Sequence, residues 1–308
     1  MTGRGGEGVG LGLIATFLWA LYNVGTSIGR ADGFSSIDLA MLRFGSAAIL
    51  LFPLLVIRFG AVKRIGVFRL CLLTVLIGPL FPLLLNTGYG IAPLAHGVAI
   101  PAAATMLTAT TLATVINRSP LRANRVMGIG LLICGLVIIA SNQSSRQAQS
   151  EIPVWIGDLF FAASGVVWGT FTWLVGRWRL PALETTAAVS ATSACLFLPV
   201  YLTFFGATSL PAALWFEQVI YQGLFGGALA IMAFGACVLR VGPGAAALFP
   251  ALVPPAAILI SIPLTGTIPT VGECLGIGLS TLGLIVALDF TTRYLDRLGA
   301  RSRQPSGE

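Results

Sequence analysis

Laid against itself at an offset of about 149 residues, the chain repeats. GIGLLICGLVIIA from residue 128 falls on GIGLSTLGLIVAL from 276, Trp19-Ala20 falls on Trp168-Gly169, and Pro101 falls on Pro250. Both halves are built of long apolar runs. A membrane-crossing helix takes about 20 apolar residues. On that measure we place ten helices, at 9–29, 36–58, 68–91, 93–117, 125–141, 154–176, 183–206, 213–238, 242–264 and 271–292. Runs of this length select helices over a barrel, so the expected fold is an all-α polytopic membrane protein. Five spans per half is an odd number, so the second half enters the membrane with the opposite orientation. The expectation is two inverted five-helix repeats, the arrangement with which secondary transporters close one side of a central site and then the other. The alternative is duplication in a structural protein or a membrane enzyme.

The repeat divides the chain into a short amino-terminal segment (1–8), a first repeat (9–149), a second repeat (150–292) and a basic tail (293–308). The link between halves, SNQSSRQAQSEIPVW from 141, is polar and too short for a domain. The first apolar run is long enough to span and is expected to remain as the first helix. The chain is 56% hydrophobic and 9% charged, where a soluble domain has about 25% charged residues, so lipid is the expected solvent.

A net charge of +7 suggests nucleic acid only where the basic residues cluster on one face. Here they sort by membrane side instead. With the amino terminus cytoplasmic, Arg58, Lys63, Arg64, Arg69, Arg118, Arg122, Arg177, Arg179, Arg240 and the arginines of the tail share that side, and Arg30 and Arg146 lie opposite. The positive-inside rule then puts both termini in the cytoplasm, as ten spans require, in a multi-pass protein of the plasma (inner) membrane. Five scattered cysteines, without CxxC or Cys/His spacing, read as small apolar fillers. No metal or cofactor is expected, and no nucleic-acid partner. Beyond lipid and a small-molecule substrate the chain is expected to work as a monomer.

LRVGPGAAALFPALVPPAAILISIPLTG, followed by GECLGIGLSTLGLIVAL, resembles the second repeat of EamA-type transporters in the drug/metabolite transporter superfamily. GYGIAPLAHGVAIPAAATMLTAT resembles the equivalent part of the first repeat, and Arg43 in AMLRFG matches that family's arginine in the second helix. The resemblance runs over nearly the whole chain and is nearest to the YddG-type amino-acid exporters. It implies the ten-helix inverted repeat and transport of a small metabolite. One departure stands out: where the family often carries Gly-Glu after helices 4 and 9, this chain has Arg118-Ser119 and Gly266-Thr267.

The first helix carries Trp19, Tyr22, Asn23 and Thr26 at i, i+3, i+4 and i+7, one polar-aromatic face. Trp19 is too deep for an interfacial aromatic belt. Its repeat-mate Trp168 has Ser164 and Thr172 four residues to either side, so the two stripes are expected to face one cavity. The alternative is helix packing through the Gly165–Gly169 pair. Arg43 is the one basic residue well inside a span and needs a partner, water or a substrate anion. Asp38 is five residues away, about 140° around the helix, and points elsewhere. Structural pairing and snorkelling toward the outer interface compete with a substrate carboxylate for it.

In NTGYGIAPLAHGVAIP, residues 86–101, Asn86 and Tyr89 sit one turn apart and are candidate cavity residues. His96, the only histidine, is expected at the outer mouth, hydrated or hydrogen-bonded, with a proton relay as the alternative. Pro101 and its mate Pro250 are expected to loosen the outer half of helix 4 and the cytoplasmic half of helix 9 as alternate gates. Asp38, Asp158, Glu273 and Asp289 all lie near helix ends. Proton-coupled carriers keep an ionisable group in the membrane, so the acids favour a facilitative carrier over an antiporter.

A cavity of Trp, Tyr, Asn, Thr and Ser suits a neutral or zwitterionic molecule with an apolar or aromatic part, as free amino acids are. The runner-up is a broad drug/metabolite exporter driven by proton antiport. A passive channel is a further alternative. One histidine completes no HExxH, and no pair of catalytic aspartates lies at membrane depth, so the expectation is that the chain is not an enzyme.

Overall fold

The computed structural model describes residues 2–116, 123–141, 152–241, 249–266 and 268–287. Its α-helices are α1 (Thr2–Ala31), α2 (Ser36–Ile57), α3 (Phe59–Lys63), α4 (Val67–Val75), α5 (Phe81–Tyr89), α6 (Leu94–Val115) and α7 (Ala123–Ser141), then α8 (Val154–Trp178), α9 (Ala182–Val200), α10 (Ala212–Gln218), α11 (Ala230–Val241), α12 (Val253–Thr265) and α13 (Val271–Ala287). No strand occurs among the described residues. Among the described residues, six helical segments are long and apolar enough to cross a membrane: Gly6–Ala31, Ser36–Ile57, Val67–Tyr89, Val154–Trp178, Leu183–Phe205 and Ala212–Val238.

Burial is distributed as lipid demands. Large apolar side chains point outward, among them Ile49, Ile57, Val67, Phe68 and Phe204, whereas His96, Gln218, Gln222 and Glu273 are enclosed. In hydrocarbon an unpaired polar group costs several kcal/mol. The interior is therefore where hydrogen bonds concentrate. Ser35 caps α2 reciprocally with Asp38, and Thr270 and Glu273 do the same at the start of α13. Asp38 also accepts from Tyr201 Oη at 2.7 Å and from the Thr208 hydroxyl, tying α2 to the end of the α9 span.

Glycines set the closest helix crossings. A Cβ on Gly135 of α7 would lie 2.6 Å from the Gly276 carbonyl of α13, and one on Gly283 would lie 2.7 Å from the Gly128 carbonyl. Position 135 meets 276 while 128 meets 283, so α7 and α13 run antiparallel. The two copies of the repeated glycine motif thus pack against each other head to tail. Between α6 and α8 the order is the reverse: Gly165 abuts Pro101 and Ala104, and Gly169 abuts Thr105 and Thr108, so these helices run parallel. Small residues here let backbones approach where lipid offers no hydrophobic drive.

Two helices expected to be continuous are wound wide in the middle. Leu76–Leu80 forms a π turn between α4 and α5, with Gly78 at a non-helical ψ of −132° before Pro79, which has no N–H to give. A longer π stretch, Val219–Leu229, joins α10 to α11 and covers the equivalent residues of the second half. The helix expected at 242–264 also differs. Residues 249–252 form a 3₁₀ turn and α12 starts at Val253. Pro250, Pro254 and Pro255 all lack the backbone donor that an α-helix would need there. The tail (293–308), Asp289, Arg118-Ser119, Thr267 and nearly all of the inter-repeat link lie outside the described residues.

Gly135→Ala forces a methyl onto the Gly276 carbonyl, a backbone atom that cannot turn away, and overpacking of this kind costs about 1–3 kcal/mol. Gly130, on the same helix, faces open space. The expected outcome in detergent melting curves is a transition lowered by several degrees in Gly135→Ala and not lowered in Gly130→Ala.

Candidate functional site

Along α1 the polar-aromatic stripe does not meet one neighbour. Its seven-residue length corresponds to about 10 Å of rise, so successive side chains face different helices. Trp19 packs on Phe234 of α11, ring centroids 5.2 Å apart. Tyr22 and Asn23 turn to the middle of the molecule. Thr26 accepts from Gln222 Nε2 at 2.9 Å and donates to the Tyr22 carbonyl at 2.8 Å.

The middle is an aromatic cluster with a cation in it. The Arg43 guanidinium lies 4.5 Å from the centroid of the Tyr22 ring and 5.7 Å from that of Phe81. Phe81 contacts Trp168 of α8 at 4.8 Å, and Trp168 contacts Phe171 at 5.8 Å. Gly226, in the π stretch, admits both Tyr22 and Arg43; a Cβ there would press on the tyrosine ring and lie 3.0 Å from Arg43 Nη1. Beside this group Tyr89 Oη donates to Asn23 Oδ1 at 2.7 Å, and Asn23 Nδ2 donates to the Trp19 carbonyl at 2.8 Å. The Tyr89 ring stands edge-on to Phe161 at 5.0 Å.

Arg43 is 8% exposed. Two aromatic faces are worth about 2 kcal/mol each at best, and a guanidinium at bilayer depth costs more than that unless an anion or water joins it. Among the described residues no carboxylate pairs with it. Three enclosed polar atoms in its neighbourhood have no hydrogen-bond partner: Arg43 Nη1, Tyr22 Oη and Gln222 Oε1. Gln222 sits one turn before Gly226, and its pair Thr26 sits one turn after Tyr22. A donor, a hydroxyl and an acceptor are therefore left open across two adjacent rungs of the α1 seam.

Tyr22, Asn23, Arg43, Tyr89 and Trp168 thus come together, and the other expected residues do not. Asn86 is fully enclosed, but its Nδ2 donates to the Ser36 carbonyl at 3.2 Å, which fastens α5 to the first turn of α2. Thr172 is exposed and its hydroxyl is taken by the Trp168 carbonyl at 2.8 Å. Pro101 lies inside α6 in the tight seam with Gly165, whereas Pro250 lies in the 3₁₀ turn before α12. The two prolines occupy unlike settings. Of the two settings expected for His96, hydrated or hydrogen-bonded, the second is found. The histidine is fully enclosed in the first turn of α6, and its Nδ1 lies 2.7 Å from Asp158 Oδ1 of α8.

Sequence reasoning missed Gln218 and Gln222. Gln218 Nε2 donates to the Gly25 carbonyl at 2.9 Å, and Gln222 Nε2 lies 3.3 Å from Gln218 Oε1. The signal was present: two amides four residues apart in an apolar run share one helix face, as the α1 stripe does.

Residues 6–141 match the EamA-like transporter family. Twenty-one chains among solved structures match as well. One of them, described as "Crystal structure of protein", superimposes with a TM-score of 0.64 at 17% identity over 93% of this chain and 99% of its own, which establishes a shared fold. No curated protein matches the chain. With its apolar helices, the match makes this a multi-pass membrane protein carrying a transporter-family domain.

Tyr89→Phe removes the donor to Asn23 and leaves an enclosed carbonyl oxygen unpaired, a loss of about 1–3 kcal/mol. The expected outcome is a lowered melting transition in detergent. Thr172→Val, at an exposed position, is expected to leave the transition where it is.

Proposed function

We propose that the chain is a carrier of the drug/metabolite type along its whole length, moving neutral and aromatic amino acids or closely related zwitterions across the plasma membrane by alternating access. The observation that carries this reading is the Arg43 guanidinium, enclosed between Tyr22 and Phe81 with no described carboxylate to neutralise it. A substrate carboxylate completes it. Arg43 Nη1 and Tyr22 Oη are the open donors, and Gln222 Oε1 is an open acceptor for an ammonium group. Phe81, Trp168 and Phe171 supply flat apolar surface for an aromatic side chain.

Several features support inverted repeats of five spans each. The glycine motifs of α7 and α13 pack antiparallel, α6 lies along α8 as α12 lies along α1, and the π stretches fall at equivalent places. The basic residues favour cytoplasmic termini. The boundaries 9–149 and 150–292 follow from this reading, and the EamA-like match covers most of the first of them. A broad exporter of lipophilic cations fits less well, because a fixed guanidinium inside the aromatic cluster repels that charge.

The experiment is counterflow of labelled phenylalanine in proteoliposomes, with competition by phenylalanine and by phenethylamine, which lacks the carboxylate. Phenylalanine is expected to compete at least tenfold better, as one charge-assisted contact of about 1.4 kcal/mol requires. Arg43→Gln is expected to lose that discrimination while still inserting in the membrane. Equal competition by the two compounds, or unchanged discrimination in Arg43→Gln, would overturn the reading; protection of cells against lipophilic cations alone would favour the broad exporter.

A further inference from the structure

His96 and Asp158 lie 62 residues apart in sequence, yet their side chains meet at 2.7 Å, His96 from the first turn of α6 and Asp158 from the second turn of α8, two parallel helices, one from each half. The histidine side chain has no exposure and the aspartate side chain has 19%. His96 Nε2 is enclosed and without a hydrogen-bond partner. We propose that this pair is a proton-binding site through which the carrier couples substrate movement to proton movement.

With His96 neutral, Nδ1–H donates to the Asp158 carboxylate and the pair carries a net negative charge. With His96 protonated the pair is neutral overall. Asp158 keeps its Nδ1–H contact in both forms, so the proton that comes and goes is the one on Nε2. Uptake takes a proton from water onto Nε2; release returns it to water from the same atom. While α6 and α8 are packed, that atom has no access to water. Exchange therefore requires the two helix starts to part, the kind of movement that opens one side of a carrier.

Other groups tune the site without replacing it. The positive dipole ends of α6 and α8 both lie near the pair. From α5 the Tyr89 ring reaches Gly97, the residue after His96. From α13 the enclosed Glu273 is held by Thr270, one turn before Ile277, which packs with Ala95 and Ala99. From α1 Arg30 lies against Gly90. The segment α12 brings no titratable group, and the one charged residue of α7, Arg125, is in its first turn, far from Ile139, which meets Ala95 and Ala99. Of these groups only Asp158 is bonded to the imidazole.

This pair reverses the inference from acid positions alone. None of the acids sits at mid-span, but an enclosed histidine bonded to one of them is an ionisable site within the helical bundle.

His96 is the only histidine, so a protein labelled on histidine and held in nanodiscs gives a single imidazole signal in NMR. The signal is expected to report proton uptake by the imidazole as the pH of the medium changes, and to respond differently in Asp158→Asn, which removes the charge beside it. The same preparations in proteoliposomes are tested for phenylalanine flux driven by a pH gradient and for phenylalanine exchange without one. The wild type is expected to show gradient-driven flux severalfold above exchange at equal pH. His96→Gln, which keeps a polar side chain but cannot titrate there, is expected to keep exchange and lose the acceleration. An imidazole signal that does not respond to pH, or gradient acceleration that survives in His96→Gln, would overturn the proposal. Absence of phenylalanine exchange in the wild type would instead count against the substrate reading, and the titration still decides on the proton site.

Discussion

Every polar group that leaves water in this molecule has to find its partner within the chain, because the surrounding solvent is hydrocarbon. That requirement explains the inverted distribution of side chains. Phe68, Phe204 and Ile57 face outward, and the glutamines, the histidine and the capping acids are turned in. It also explains why the tightest crossings are made by glycine. Without a hydrophobic force between helices, the gain comes from close backbone approach and interhelical hydrogen bonds. Gly135 on Gly276 and Gly165 on Pro101 serve the first, and Thr105 Oγ1 on the Gly165 carbonyl, at 3.1 Å, serves the second.

Against that background, the few enclosed polar atoms without partners carry information. Most of the interior is satisfied: Asn23 by Tyr89 and its own helix, Asp38 by Ser35, Thr208 and Tyr201, Gln218 by Gly25. Arg43 Nη1, Tyr22 Oη and Gln222 Oε1 are not, and they collect on one seam beside a π stretch. Helices wound wide in this way leave backbone and side chains free to rearrange, and they recur at functional sites. Other enclosed atoms, His96 Nε2 and Asn86 Oδ1 among them, are also without partners, but these three gather around one guanidinium, and the proposed substrate carboxylate answers to that grouping.

Much of this was legible in the sequence, and what was hidden had specific causes. Helix positions followed from apolar runs, with boundaries close to those observed from α2 through α9, because hydrophobicity along a membrane helix is nearly independent of tertiary context. Tyr22, Asn23, Arg43 and Tyr89 announced themselves as polar residues in apolar surroundings. Gln218 and Gln222 gave the same signal and were passed over. The pairing of His96 with Asp158, and of Asp38 with Tyr201, had no local signature, since each joins different halves of the chain. Sequence equivalence of Pro101 and Pro250 did not carry over to their surroundings: one sits in a packed helix and the other precedes one. A repeat preserves residue type more readily than environment.

The open guanidinium and the histidine pair are joined by one residue. The Tyr89 ring fills the space over Gly97, next to His96, and its hydroxyl holds Asn23, next to Tyr22. Its other face neighbour, Phe161, stands on α8 three residues beyond Asp158. Separation of α6 from α8 therefore removes two walls of the pocket that orients Tyr89. The hydroxyl then either follows the ring, releasing Asn23, or stays, drawing α5 away from α8. Both outcomes disturb the Tyr22–Arg43–Phe81 stack, because Phe81 is on α5 and Tyr22 adjoins Asn23. Coupling between two sites needs a connecting element with two arrangements that each site biases. In this structure the Tyr89 side chain reaches a neighbour of each, Asn23 beside Tyr22 and Gly97 beside His96.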